Sequence, residues 1–187
     1  MDGLLRTILT GERISLRPAR EIELEAYFSL LQEPEASRLT GTQQRFSKES
    51  IAAWLKKISH VHDDRVDLMI ALLDTDELIG EVVLNELDPI NRSANIRIVV
   101  SARHSNKGYG SEAMRLMLKH GFEDLKLHRI ELGVYAFNPR ALHVYEKLGF
   151  KREGVKRDAI YTDGRFHDMI LMAMLEEEFR ARSSNAE

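Results

Sequence analysis

The chain has no cysteine, which excludes disulfides, a thiolate nucleophile and any cysteine-based metal site. Redox chemistry therefore does not fix its compartment. Nowhere do about 18 apolar residues run together, and Asp2, Arg6, Glu12 and Arg13 interrupt the short apolar runs of the N-terminal segment, so neither a membrane span nor a signal peptide is expected. The expected location is the cytoplasm, with no membrane partner. No charge of one sign dominates: 27 Lys+Arg stand against 30 Asp+Glu, a net charge of −3, and this leaves no electrostatic footprint for nucleic acid. No repeat or linker divides the chain. No metal is expected either, because His60-Val61-His62-Asp63-Asp64 gathers two histidines and two acids in a polar loop without ligand spacing supported elsewhere. What is present is ordinary for a globular protein, 43% hydrophobic and 30% charged residues in a chain of 187. That length fits one domain, 1–187, with a core from about 13 to 175 and flexible termini.

The order of elements follows from periodicity. Arg13 to Arg17 alternates as a strand stopped by Pro18. Leu24, Tyr27, Phe28 and Leu31 recur at helical spacing until Glu33-Pro34-Glu35, read as a loop, breaks the pattern. Ser47 is an expected N-cap for a second helix carrying Ile51, Trp54, Leu55 and Ile58 on one face, with Trp54 read as core. Asp67–Leu73 and Leu78–Leu84 form a hairpin, Asp88–Ser93 is a turn cluster, and Ala94–Val100 is the next strand. A helix from Ser111 bears Ala113, Met114, Leu116, Met117 and Phe122 as its apolar stripe. Arg129–Ala136 is then a strand parallel to Ala94–Val100, since a helix crosses over between them. A short helix ends at Gly149, and Asp163-Gly164 closes a last hairpin between Asp158–Thr162 and His167–Met172. The charged tail from Glu176 is expected to be disordered after Arg180.

Two blocks carry chemistry. Arg103-His104-Ser105-Asn106-Lys107-Gly108-Tyr109-Gly110-Ser111 leads from a strand into a helix. Two glycines one residue apart leave backbone N–H groups bare where the helix begins, which suits a pyrophosphate as well as a sharp turn. A dinucleotide fingerprint also fits Gly108 to Ala113, with Glu131 about 20 residues on. It fails on context: the strand ends well before Gly108, Glu131 opens the next strand, and no further βαβ units follow. The second block, Val134 to Phe150, is a strand, an Asn138-Pro139 turn and a helix bearing Tyr145.

In order and spacing the two blocks resemble the GCN5-related N-acetyltransferases, within them the ribosomal-protein N-terminal and spermidine acetyltransferases. The resemblance runs from about Arg13 to Leu175. It implies an α/β single domain, a mixed and mostly antiparallel sheet of roughly seven strands with about four helices. It implies acetyl-CoA as cosubstrate and a primary amine as acceptor, either a small cationic amine such as a polyamine or a protein N-terminus, attacked directly; a second copy of the chain, in a homodimer, is a further candidate partner. Neither a cysteine nor a Gly-x-Ser-x-Gly elbow supports an acyl-enzyme. The resemblance casts Tyr145 as the acid that protonates the departing thiolate. Ile98, Val99 and Val100 would receive the pantetheine arm, Ser105 to Ser111 (Ser105, Asn106, Lys107, Gly108, Tyr109, Gly110, Ser111) the pyrophosphate, and Asn138 a pantetheine amide, with Lys147 a further coenzyme contact.

The chain departs from this family at two positions. Asn95 stands where many members carry a glutamate that acts as general base, and an amide cannot take a proton. The base is therefore open among Glu81, Glu86, Asp88, His167, Asp168 and ordered water, and a coenzyme-binding sensor without turnover is the alternative function. Ser105 stands where the loop usually begins with Gln or Arg. For a cationic acceptor, Glu33, Glu35, Glu81, Glu86 and Asp88 are the acids expected near the groove.

Overall fold

In Val66–Leu72 (β3) every residue from Asp67 to Ala71 is buried, so both faces of this strand are covered. The computed structural model describes residues 7–60 and 62–184, and the flexibility expected of the extreme termini falls on residues outside that set. Around β3 the sheet is built from β1 (Leu9–Thr10), β2 (Ile14–Arg17), β4 (Leu78–Asp88), β5 (Ser93–Val100), β6 (Arg129–Tyr135), β7 (Lys151–Thr162) and β8 (Arg165–Leu175). Their order is β1-β2-β3-β4-β5-β6-β8-β7, and β5 with β6 is the parallel pair in an otherwise antiparallel sheet.

The helices are α1 (Leu24–Leu31), α2 (Pro34–Thr40), α3 (Lys48–Ile58), α4 (Tyr109–Lys119), α5 (Pro139–Leu148) and α6 (Glu176–Ser184). Among the described residues the sheet thus has eight strands rather than seven, and there are six α-helices rather than four. β1 is two residues long, too short for any alternation to appear. α2 lies where Glu33-Pro34-Glu35 was read as a loop: Pro34 occupies the first helical turn, where its missing N–H costs nothing, and Gly41 ends the helix at φ 70°. α6 replaces the disorder expected after Arg180. Its sequence is mostly charged, yet Phe179 stacks on Phe122 with centroids 5.0 Å apart and ties the helix to the core.

Two apolar clusters cover the two faces. Ile14, Leu16, Ile70, Val82, Leu84 and Ile96 meet Met114, Met117 and Phe122 of the α4 side. On the other face Met69 packs with Tyr27 and Leu30 of α1 and Ile51, Leu55 and Ile58 of α3. The cap of α3 is as expected, with Ser47 Oγ accepting from the Ser50 N–H at 3.1 Å. His60 and His62 bond the carbonyls of Lys56 and Lys57 at 2.8 and 2.9 Å, closing the other end of that helix. No helix among the described residues is long and apolar enough to cross a membrane.

Candidate active site

β5 and β6 pair only at Ser93, Ala94 and Asn95 with Arg129, Ile130 and Glu131. Beyond Asn95 they part, β5 staying with β4 and β6 with β8. A cleft of about 770 Å³ opens between them. Ser101 donates its N–H to the Ile79 carbonyl at 2.8 Å, and the Val99 carbonyl lies against Gly80, where any side chain would collide with it. The odd-numbered residues of β5 therefore turn their backbone to β4. By the alternation of a strand, Ile98 and Val100 turn N–H and C=O into the cleft. Val99, grouped with them from the sequence, has its backbone committed to β4 instead.

The glycine loop closes one end of this cleft. Asn106 (φ 61°) and Gly108 (φ 84°) both take left-handed conformations, and Gly108 caps α4. The loop is held from behind by Arg13, whose Nη1 donates to the Lys107 carbonyl at 2.8 Å while Nε donates to Glu112 at 3.0 Å. Glu112, buried in the first turn of α4, also accepts the Arg13 backbone N–H at 2.8 Å. Burial pushes the Glu112 carboxyl up, but these N–H donors outweigh it and hold the group below the usual range. Ser105, Asn106, Gly108, Gly110 and Ser111 line the cleft.

Lys107, Tyr109 and Lys147 do not. The Tyr109 ring packs beneath the Arg13 guanidinium, 4.7 Å from its centroid, and beside the buried His104. Lys107 is exposed, and Lys147 lies on the solvent side of α5.

α5 forms the opposite wall. Asn138 lines the cleft, and its Oδ1 accepts the Ala141 N–H at 3.1 Å as the N-cap while its Nδ2 makes no hydrogen bond with a described residue. Arg140 reaches across the mouth to Asn106 Oδ1 at 2.9 Å. Tyr145 packs its ring edge-on to Phe150 with centroids 6.0 Å apart and lines the cleft. Burial pushes its phenol up to about 12, so it stays protonated at neutral pH.

A second cavity, about 720 Å³, lies on the α1–α3 side and shares Phe46, Arg97, Ile98 and Val99 with the cleft. Tyr27 of α1 donates its hydroxyl there to Glu81 Oε1 of β4 at 2.9 Å. Burial and the neighbouring charge of Asp67 push the Glu81 carboxyl up to about 7, against the opposing pull of the Tyr27 bond and of Arg97 and Arg65. Trp54 is a wall of this cavity rather than core. Arg65 sits 4.7 Å over its ring and forks onto Asp67 with two bonds of 2.6 Å.

The other acids fall elsewhere. Glu33 accepts the Ala102 N–H at 2.7 Å and anchors α2 to the end of β5. Glu35 lines the cleft. Glu86 and Asp88 lie at the far end of β4, where a bulge puts Glu86 at φ 54°, and Asp88 is taken up by the Ile90 and Asn91 N–H groups. His167 bonds the Thr162 carbonyl and meets Phe137 edge-on, while Asp168 accepts the Asp158 N–H. None of these last four lines either cavity. Residues not foreseen at the site are Tyr27, Phe46 and Arg97. Arg97 had a signal: it is the one charged residue in the strand Ala94–Val100.

The family model for the acetyltransferase (GNAT) domain matches residues 13–151. The spermidine N(1)-acetyltransferase of Vibrio cholerae is 34% identical over 124 residues, 66% of this chain and 72% of that protein. The putative ribosomal N-acetyltransferase YdaF of Bacillus subtilis is 32% identical over 108 residues, 58% of this chain and 59% of that protein. Among solved structures, the spermidine N-acetyltransferase from Vibrio cholerae in complex with CoA and spermine superposes with a TM-score of 0.83 at 27% identity, covering 89% of this chain and 98% of that one. A matched domain over most of the chain, on a sheet split to admit an acyl carrier, makes this chain a member of the GNAT family, an acetyl-CoA-dependent N-acetyltransferase.

Proposed function

We propose that the acceptor is a small amine or a peptide N-terminus, attacked directly in the β5/β6 cleft, with Glu81 as proton acceptor and Tyr145 as proton donor. The observation that carries this assignment is the placement of Glu81, the carboxylate lining the second cavity, opposite Val99, which lines both cavities; Glu33, Glu86 and Asp88 are taken up elsewhere, and Glu35 lies on α2 at the cleft wall, away from β4. A base that titrates near neutral pH meets the requirement left by Asn95. The relatives named for spermidine and ribosomal substrates support an amine in either form.

Bound acetyl-CoA supplies an activated acetyl thioester. The N–H groups of Ile98 and Val100 face the cleft and serve to hold its pantetheine arm and the oxyanion that develops on the carbonyl. The bare N–H groups around Gly108 and Gly110, at the positive end of α4, suit the pyrophosphate, and Gly110 has ordinary space around it. Glu81 removes the proton that the amine loses as its nitrogen bonds to the carbonyl carbon. As the carbon–sulfur bond breaks, Tyr145 holds a proton ready for the leaving sulfur.

Release of coenzyme A thiol, measured across polyamines, peptides with free N-termini and amino-sugar amines, tests this reading. Turnover with at least one small amine or peptide N-terminus is expected. Tight coenzyme binding without thiol release from any acceptor would contradict it and leave only a binding module.

A further inference from the structure

The second cavity carries an uneven set of charges. Its described lining holds one carboxylate, Glu81, and three guanidiniums, those of Arg45, Arg65 and Arg97. Asp67 neutralises Arg65. The exposed Arg97 side chain makes no hydrogen bond and no ion pair with a described residue, and it lines both cavities at once. In the β4–β5 register Glu81 stands opposite Val99 and Val83 opposite Arg97. Glu81 and Arg97 are thus diagonal neighbours on one face of the sheet, roughly 7–8 Å apart along the backbone.

An acceptor with several ammonium groups suits this arrangement poorly. With one nitrogen at Glu81, the next would enter a space whose remaining charges, the exposed Arg45 and Arg97 and the Asp67-paired Arg65, are positive. An α-amino acid satisfies both charges, since its amine and its carboxylate sit on one carbon. Part of the cavity wall is apolar, formed by Trp54, Phe46, Leu31 and Val83, beside the polar Thr42, Gln44 and Ser50.

Resting on the acetyl-transfer reading above, we infer that Arg97 selects the acceptor, and that the second cavity takes an amine bearing a neighbouring carboxylate and an apolar side chain. Arg97 receives the carboxylate, Glu81 the amine, and the Trp54–Phe46 wall the side chain. The amine nitrogen bonds to the acetyl carbon and gives its proton to Glu81, the carbon–sulfur bond breaks, and the products are an N-acetyl amino acid and the free thiol. Arg97 touches the acceptor without moving a proton, so its effect belongs to specificity.

Thiol release with L-phenylalanine, phenethylamine and spermidine tests the inference. Phenethylamine is phenylalanine without its carboxylate. In the unaltered protein kcat/KM for phenylalanine should exceed that for phenethylamine by roughly 10- to 100-fold, the worth of one hydrogen-bonded charge, with spermidine lowest. Arg97→Ala should bring the phenylalanine to phenethylamine ratio toward one through KM, and Arg97→Lys should restore part of it. Intrinsic differences between the amines cancel when the ratios are compared, and coenzyme Kd on each variant reports that the fold is intact. Spermidine turned over fastest, or a ratio unmoved by Arg97→Ala, would overturn the selection while leaving acetyl transfer standing. No thiol release from any of the three would overturn the selection, and with a silent wider amine panel the acetyl-transfer reading as well.

Discussion

The hydroxyl of Tyr27 on α1 reaches Oε1 of Glu81 on β4 at 2.9 Å, joining the acceptor wall to the strand behind the cleft. The bond favours the ionised carboxylate and works against burial, which raises the Glu81 carboxyl to about 7. If Glu81 is the base, kcat should rise about tenfold per pH unit below pH 7 and level off above it. Tyr27→Phe removes the donor and should move this limb to higher pH.

Glu81→Gln should lower kcat by about 10²- to 10⁴-fold. Its effect on stability runs the other way. A carboxyl whose folded value lies above its unfolded one contributes stability below about 4.5 that is lost as the pH rises through about 7. The glutamine variant escapes that loss, so its Tm relative to the unaltered protein should climb between pH 5 and 8. Thermal scans across this range check the sign, and a difference that stays flat from pH 5 to 8 would show that Glu81 is held ionised.

Gly110 supplies a cleaner test of the coenzyme site than its neighbour Gly108, whose φ of 84° would strain any side chain. A Cβ at Gly110 would meet Val100 Cγ2 at 3.6 Å and Ile98 Cδ1 at 3.9 Å, ordinary contacts. Gly110→Ala should keep the fold and add up to about 1 kcal/mol of helix stability. Calorimetry should nonetheless find acetyl-CoA binding weakened at least about tenfold, because the methyl group stands between the helix N-terminus and the phosphates. Unchanged affinity would place the pyrophosphate elsewhere.

Much of this site could be read in the chain, and the losses have physical causes. The glycine loop, the Asn138-Pro139 helix start and the Asp163-Gly164 turn depend on local backbone chemistry, and each lies where its residues dictate; Asp163 and Gly164 both take positive φ. The two-residue β1 offered no period, and Pro34 signals a helix start as readily as a break. Val99 was grouped with Ile98 and Val100 because which way a strand turns its N–H groups depends on register, which only the pairing with Gly80 and Ile79 settles. The partnership of Tyr27 with Glu81 spans 54 positions, and Tyr27 sits in an apolar stripe that reads as core. Arg97 gains its meaning only when β4 places Glu81 beside it.

The central claim is that acetyl transfer takes place in the cleft between β5 and β6, against the phenol of Tyr145. Its most direct test is kcat and coenzyme Kd measured on Tyr145→Phe, which keeps the ring against Phe150 and removes only the hydroxyl. A phenol that stays protonated is a fit donor to a thiolate of pKa near 8.5, which benefits from the proton without strictly requiring it. The account predicts a fall in kcat of about 10- to 10⁴-fold with Kd nearly unchanged. An unaltered kcat, with chemistry shown to limit the rate, would contradict it and return Tyr145 to the role of a packing residue.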